Sequence, residues 1–117
     1  MAKRIIFNLK RYLTMPDGRR VDLYEEIKAG RKTSEFRDYT SHWVSRLFRR
    51  LLKTGITHMR LKVDRAWFVV GFPKNNLPRL EADIKGYRII LDEDDFAQTI
   101  EIIFENVIEV TETHVNG

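Results

Sequence analysis

The 117 residues include no cysteine. That excludes disulfides, thiolate nucleophiles and most structural zinc sites, and makes a reducing cytoplasm the expected compartment. No run of 18 apolar residues occurs, so no membrane-spanning helix is expected. The opening MAKRIIFNLK is basic but has no apolar stretch of secretory-signal type, so a signal peptide is not expected either. Internal repeats and low-complexity linkers are also missing, and one domain over residues 1–117 is the expectation. His42, His58 and His114 are far apart and lack carboxylates at metal-ligand spacing. The acidic run Asp92–Asp95 lacks the glycine and distal glutamate of a calcium loop. No metal and no cofactor is expected.

Positive charge is the last absence, and it is confined to one part of the chain. All 21 Lys and Arg stand at or before Arg88. Through Leu91 they face 9 carboxylates; beyond it 8 carboxylates face no Lys or Arg. A segment this basic attracts polyanions, unless the acidic tail neutralises it from within.

With 43% hydrophobic residues, the chain can bury a small core. Arg4–Leu9 reads as a strand with Ile5, Phe7 and Leu9 on one side. Pro16-Asp17-Gly18 is a turn signal. Asp22 caps a short helix in which Leu23 and Ile27 share a face, and Gly30 is placed to end it. Residues 33–37 look extended. Residues 40–55, TSHWVSRLFRRLLKTG, read as the clearest helix. Thr40 or Ser41 caps it, Gly55 ends it, and Trp43, Val44, Leu47, Phe48, Leu51 and Leu52 form its apolar face. Strands follow at 58–63, 66–72, 80–86, 87–91 and 99–110, with a loop at 73–79, a turn at 92–95 and a bulge near Asn106. This order predicts an α+β fold, a small β-barrel with two helices near the N-terminal half.

The chemistry concentrates in GRKTSEFRD, Gly30–Asp38. On an extended strand Thr33, Glu35 and Arg37 point one way, and Lys32, Ser34 and Phe36 the other. Phe36 is then expected to anchor one face in the core. Glu35 beside Arg37 holds the guanidinium as a fork suited to a phosphate or a base edge. Lys32 can hold a phosphate or, if desolvated, act as a base. Lys74 and Arg79 on the 73–79 loop offer further backbone contacts, and Arg46, Arg49 and Arg50 extend the positive surface. Trp43 and Trp67 are candidates for base stacking, although their positions favour the core.

Three segments carry a family resemblance. Gly30, Lys32, Glu35 and Arg37 match the Gly-x-Lys-x-x-Glu-x-Arg run of the ASCH domain. SHWVSRL (41–47) resembles the Trp-x-x-Arg-Leu helix of a phage-associated branch of that family. Gly71, Phe72, Lys74, Pro78 and Arg79 stand at the places of that branch's Gly-aromatic-x-Lys-x-x-x-Pro-Arg segment. The resemblance covers roughly residues 20–90. It implies a PUA-like β-barrel whose cleft takes RNA or a nucleotide, with Lys32, Glu35, Arg37, Trp43, Arg46, Lys74 and Arg79 as ligand-binding residues. It also implies an alternative, a small amidohydrolase or ribonuclease with Lys32 and Glu35 as the acid–base pair, although Glu35 stands where amidohydrolase members carry a threonine. A third expectation is a mobile-element protein that docks on a host nucleic-acid machine, its acidic segment 92–112 mimicking nucleic acid or meeting a basic partner.

Overall fold

The computed structural model describes residues 3–53 and 56–112, and at 51–53 and 56–58 the backbone alone. Strands hold more than half of the described residues. They are β1 (Arg4–Leu9), β2 (Tyr12–Thr14), β3 (Arg20–Asp22), β4 (Ser34–Asp38), β5 (Phe48–Lys53), β6 (Ile56–Leu61), β7 (Arg65–Val70), β8 (Arg79–Leu91) and β9 (Ala97–Val110). Two helices, α1 (Leu23–Lys28) and α2 (Ser41–Leu47), lie in the N-terminal half as expected. The main sheet has the order β1-β7-β8-β9-β4, with β1 and β7 parallel and the rest antiparallel. It curls into a half-barrel. The hairpins β2–β3 and β5–β6 stand outside it.

Local signals explain several elements. Gly18 N–H donates to Met15 O at 2.9 Å, closing the Pro-Asp-Gly turn inside the β2–β3 hairpin. The Asp22 carboxylate accepts from Glu25 N–H at 3.1 Å and starts α1. Gly30, with φ +78°, follows its last turn in the left-handed region that glycine enters without strain. Alternation along β1 and β7 buries Ile5, Phe7, Ala66 and Phe68 against Leu80, Ala82, Ile100, Ile102 and Phe104.

The bulge expected near Asn106 is present. Glu81 pairs with Ile108 and Asp83 with Glu105, so β9 carries an extra residue there, and Asn106 takes φ +57°. Its amide nitrogen donates to Asp83 Oδ2 at 3.1 Å. Asparagine tolerates this region and a β-branched residue does not. Asn106→Val is therefore expected to cost about 1–3 kcal/mol, and Asn106→Gly less than about 1. Urea unfolding of both variants checks this; equal losses would count against backbone strain as the cause.

Two expectations are corrected. The helix read over 40–55 ends at Leu47. Phe48 turns to φ −124°, ψ 149°, and the chain continues as β5, paired with β6 from Phe48↔Leu61 to Lys53↔Ile56. An apolar pattern with gaps of three and four is compatible with helix, but the ladder to β6 satisfies every second backbone group and overrides local propensity. Gly55, read as the helix stop, lies outside the described residues. The second correction is Phe36, which is 43% exposed, while Glu35 is 7% exposed. The alternation of 33–37 holds, but the faces are exchanged. Glu35 pairs with Ile102 and Arg37 with Ile100, both core residues of β9, whereas Phe36 pairs with Glu101 on the opposite face of the sheet.

Candidate nucleic-acid interface

The motif segment forms a closed cluster. Arg37 Nη1 lies 2.9 Å from Glu35 Oε1, and Lys32 Nζ lies 3.8 Å from the same oxygen. Phe36 N–H also donates to that oxygen, at 3.0 Å. Lys32 donates to Ser34 O at 2.8 Å, and Arg37 to Phe36 O at 2.8 Å. A further bond crosses between strands that are not sheet neighbours. Arg37 Nη2 donates to Asn8 O on β1 at 3.3 Å, and its guanidinium sits 4.9 Å from the Phe7 ring and 5.3 Å from Trp43. β4 and β1 are the two edges of the curled sheet, so Arg37 spans the seam of the half-barrel. Trp43, stacked on Phe7 at 5.7 Å, covers it from α2. The helix is oriented by its cap, Thr40 Oγ1, which accepts from Trp43 N–H at 3.4 Å. Glu35 Oε2 is buried without a hydrogen-bond partner.

The structure thus brings together Lys32, Glu35, Arg37 and Trp43 and separates the other expected ligands from them. Arg79 alternates with the inward Leu80 and Ala82, so it lies on the outer face of the sheet. There its guanidinium covers Trp67 at 3.7 Å and its Nε donates to Glu81 Oε2 at 2.7 Å. Arg4 approaches the same ring at 4.2 Å. Trp67, expected in the core, is half-buried between these two cations. Lys74 is exposed in a single helical turn, Lys74–Asn76, beyond the end of β7. A cleft formed jointly by the motif, Lys74 and Arg79 is not present.

Arg46 belongs to a different feature. With Lys3, Arg4, Arg49 and Lys62 it lines a groove of about 760 Å³, whose floor includes Ile5, Phe48 and Val63. Among the described residues no carboxylate lines this groove. An adjoining groove of about 430 Å³ shares Lys3, Arg49 and Lys62 and adds Arg60. Its single acid, Asp64, accepts from the Lys3 backbone N–H at 2.8 Å. Among the described residues, none of these six cations is within ion-pair distance of a carboxylate. Arg49 and Arg60 moreover face each other directly across the β5–β6 ladder, an arrangement that destabilises a sheet by charge repulsion.

Part of this strip was readable in advance. MRLKV, 59–63, alternates Met59, Leu61 and Val63 inward, which places Arg60 and Lys62 together outside. Nothing local signals that Lys3 and Arg4, some fifty-five residues earlier, join them.

Three carboxylates of the acidic tail are engaged inside the molecule. Glu101 holds Arg88 at 2.7 Å, and Glu109 holds Lys28 at 3.1 Å and the Tyr24 hydroxyl at 2.9 Å. These partners depress the Glu109 pKa, Lys28 most strongly. Asp92 accepts from Asp94 N–H and Phe96 N–H within its own turn. Among the described residues no group of three His, Asp or Glu is placed to hold a metal ion, and no helix is long and apolar enough to cross a membrane. His114 lies outside the described residues. Comparison with protein-family models, curated proteins and solved structures returns no match.

Proposed function

We propose that this chain is an RNA-binding domain of the ASCH, PUA-like type that grips phosphates along the groove of Lys3, Arg4, Arg46, Arg49 and Lys62. One observation carries the reading: five cations from four segments converge on a groove that no carboxylate lines among the described residues. Like charges held together are a cost in the free protein, and a bound phosphate row removes it while releasing counterions. The motif resemblance and the curled sheet support the same class. In this reading Lys32, Glu35 and Arg37 close the barrel beside the groove and do not contact the backbone of the RNA. A nucleoside-hydrolase reading has less support. Lys32 is 3.8 Å from Glu35 and bonded to Ser34 O, and Glu35 is enclosed behind Arg37.

The test is anisotropy titration of a labelled RNA across a salt series. About five phosphate contacts give a slope of log affinity against log salt near −4. Arg46→Gln/Arg49→Gln/Lys62→Gln is expected to flatten that slope by about 2–3 and to weaken binding across all sequences. Arg19→Gln, in the β2–β3 turn at the other end of β1, is expected to behave as wild type. Binding indifferent to salt, or unchanged in the triple variant, would overturn the proposal.

A further inference from the structure

The groove also indicates which form of nucleic acid it takes. We infer that it is a backbone-reading site for a nucleic-acid duplex and not a channel for a single strand; this rests on the nucleic-acid reading above.

The first reason is the absence of a stacking surface. Proteins that hold single strands without sequence preference combine cations with exposed rings on which successive bases stack. Among the described residues lining the two grooves the only ring is Phe48. It is buried, and it packs edge-on against Tyr87 at 4.7 Å. Tyr87 is 36% exposed but lines neither groove, and the two most exposed rings, Phe72 and Phe96, lie elsewhere. Phe72 follows the end of β7 opposite to Arg65, whereas Arg65 is the residue that pairs with Arg4 beside the groove. Phe96 is in the β8–β9 turn and lines neither groove.

The second reason is how the cations are held. Arg49 and Arg60 are fixed opposite each other by the β5–β6 register. Lys62 follows Arg60 on the same side, with Lys62 N–H donating to Leu47 O at 2.9 Å. Arg4 is fixed by its pairing with Arg65, and Lys3 by its bond to Asp64. Six cations on four backbone segments flank two adjoining grooves. A duplex presents two regular phosphate rows that need no ordering on binding. A single strand presents one row and must be ordered against this lattice, with no base stacking to offset the loss.

The deciding measurement compares wild-type affinity for a 20-base-pair RNA duplex, a DNA duplex of the same sequence, and a single-stranded RNA of the same length and composition lacking self-complementarity. At equal, low salt, at least one duplex is expected to bind tenfold or more tighter than the single strand. That advantage is expected to fall below threefold in Arg46→Gln/Arg49→Gln/Lys62→Gln. Binding of the DNA duplex without the RNA duplex would uphold this inference and overturn the RNA reading above, because only B-form phosphate spacing would then fit the groove. A single strand that binds as well as or better than both duplexes, with the salt slope intact, would overturn this inference and leave the proposed function standing. No binding to any of the three would overturn both.

Discussion

Arg37→Met is expected to lower the unfolding free energy by about 3 kcal/mol, and Glu35→Leu in the same chain to restore most of it. The Glu35 side chain is 9% exposed and that of Arg37 20% exposed, with 2.9 Å between their charged atoms. Removing the guanidinium leaves a buried carboxylate with Lys32 at 3.8 Å and one backbone N–H for compensation. Breaking such a pair from one side costs several kcal/mol, because desolvation of the remaining charge is no longer offset. Replacing both partners by apolar groups removes two charges together and abolishes the unpartnered Glu35 Oε2. The single changes should therefore be strongly non-additive in a double-mutant cycle. Urea unfolding of the four proteins decides it. Additive losses would mean that the pair is not an energetic unit and that the seam between β4 and β1 is held by other contacts.

Phe68→Ala should cost about 3–5 kcal/mol, which for a domain of this size lowers the melting temperature by about 15 °C. Phe68 has no solvent exposure and packs between Phe7, at 5.6 Å, and Phe104, at 4.8 Å. It lies on β7, in the interior of the five-stranded sheet. The loss combines transfer of the ring to water with a cavity that flanking strands cannot collapse into. Phe72→Ala, four residues later at 91% exposure, should change stability by no more than about 0.5 kcal/mol. The two residues read alike in AWFVVGF, so the contrast tests the sheet register directly. Scanning calorimetry of both variants provides the check, and comparable shifts would show that the core is misplaced.

The face exchange in β4 shows where reading the chain directly stops. Period-two alternation places Glu35 with Arg37 and sets Phe36 opposite, and that much is correct. Hydrophobicity alone then turns Phe36 inward. The structure turns it outward because β4 is an edge strand whose inner face is set by pairing with Ile100 and Ile102. The half-barrel also places the Arg37 guanidinium at its seam, against Phe7 and Asn8 O. Arg79 illustrates the same limit. Its neighbours in sequence suggest a loop ligand, while its neighbours in space are Trp67 and Glu81.

Features that act over a few residues are written in the chain itself: the Pro-Asp-Gly turn, the Asp22 cap, the left-handed Gly30, the Asn106 bulge, the alternation of β1 and β9, and the confinement of positive charge to the first three-quarters of the chain. Tertiary structure alone decided that 48–53 leaves the helix for a strand, which side of β4 is inside, and that Lys3 and Arg4 meet Arg46, Arg49 and Lys62 in one groove. Turns, caps and bulges depend on φ, ψ and hydrogen bonds within about four residues, which each segment carries in itself. Faces and grooves depend on register between strands that are distant in sequence, where the free energy of burying one particular set of side chains outweighs the preference of any single segment.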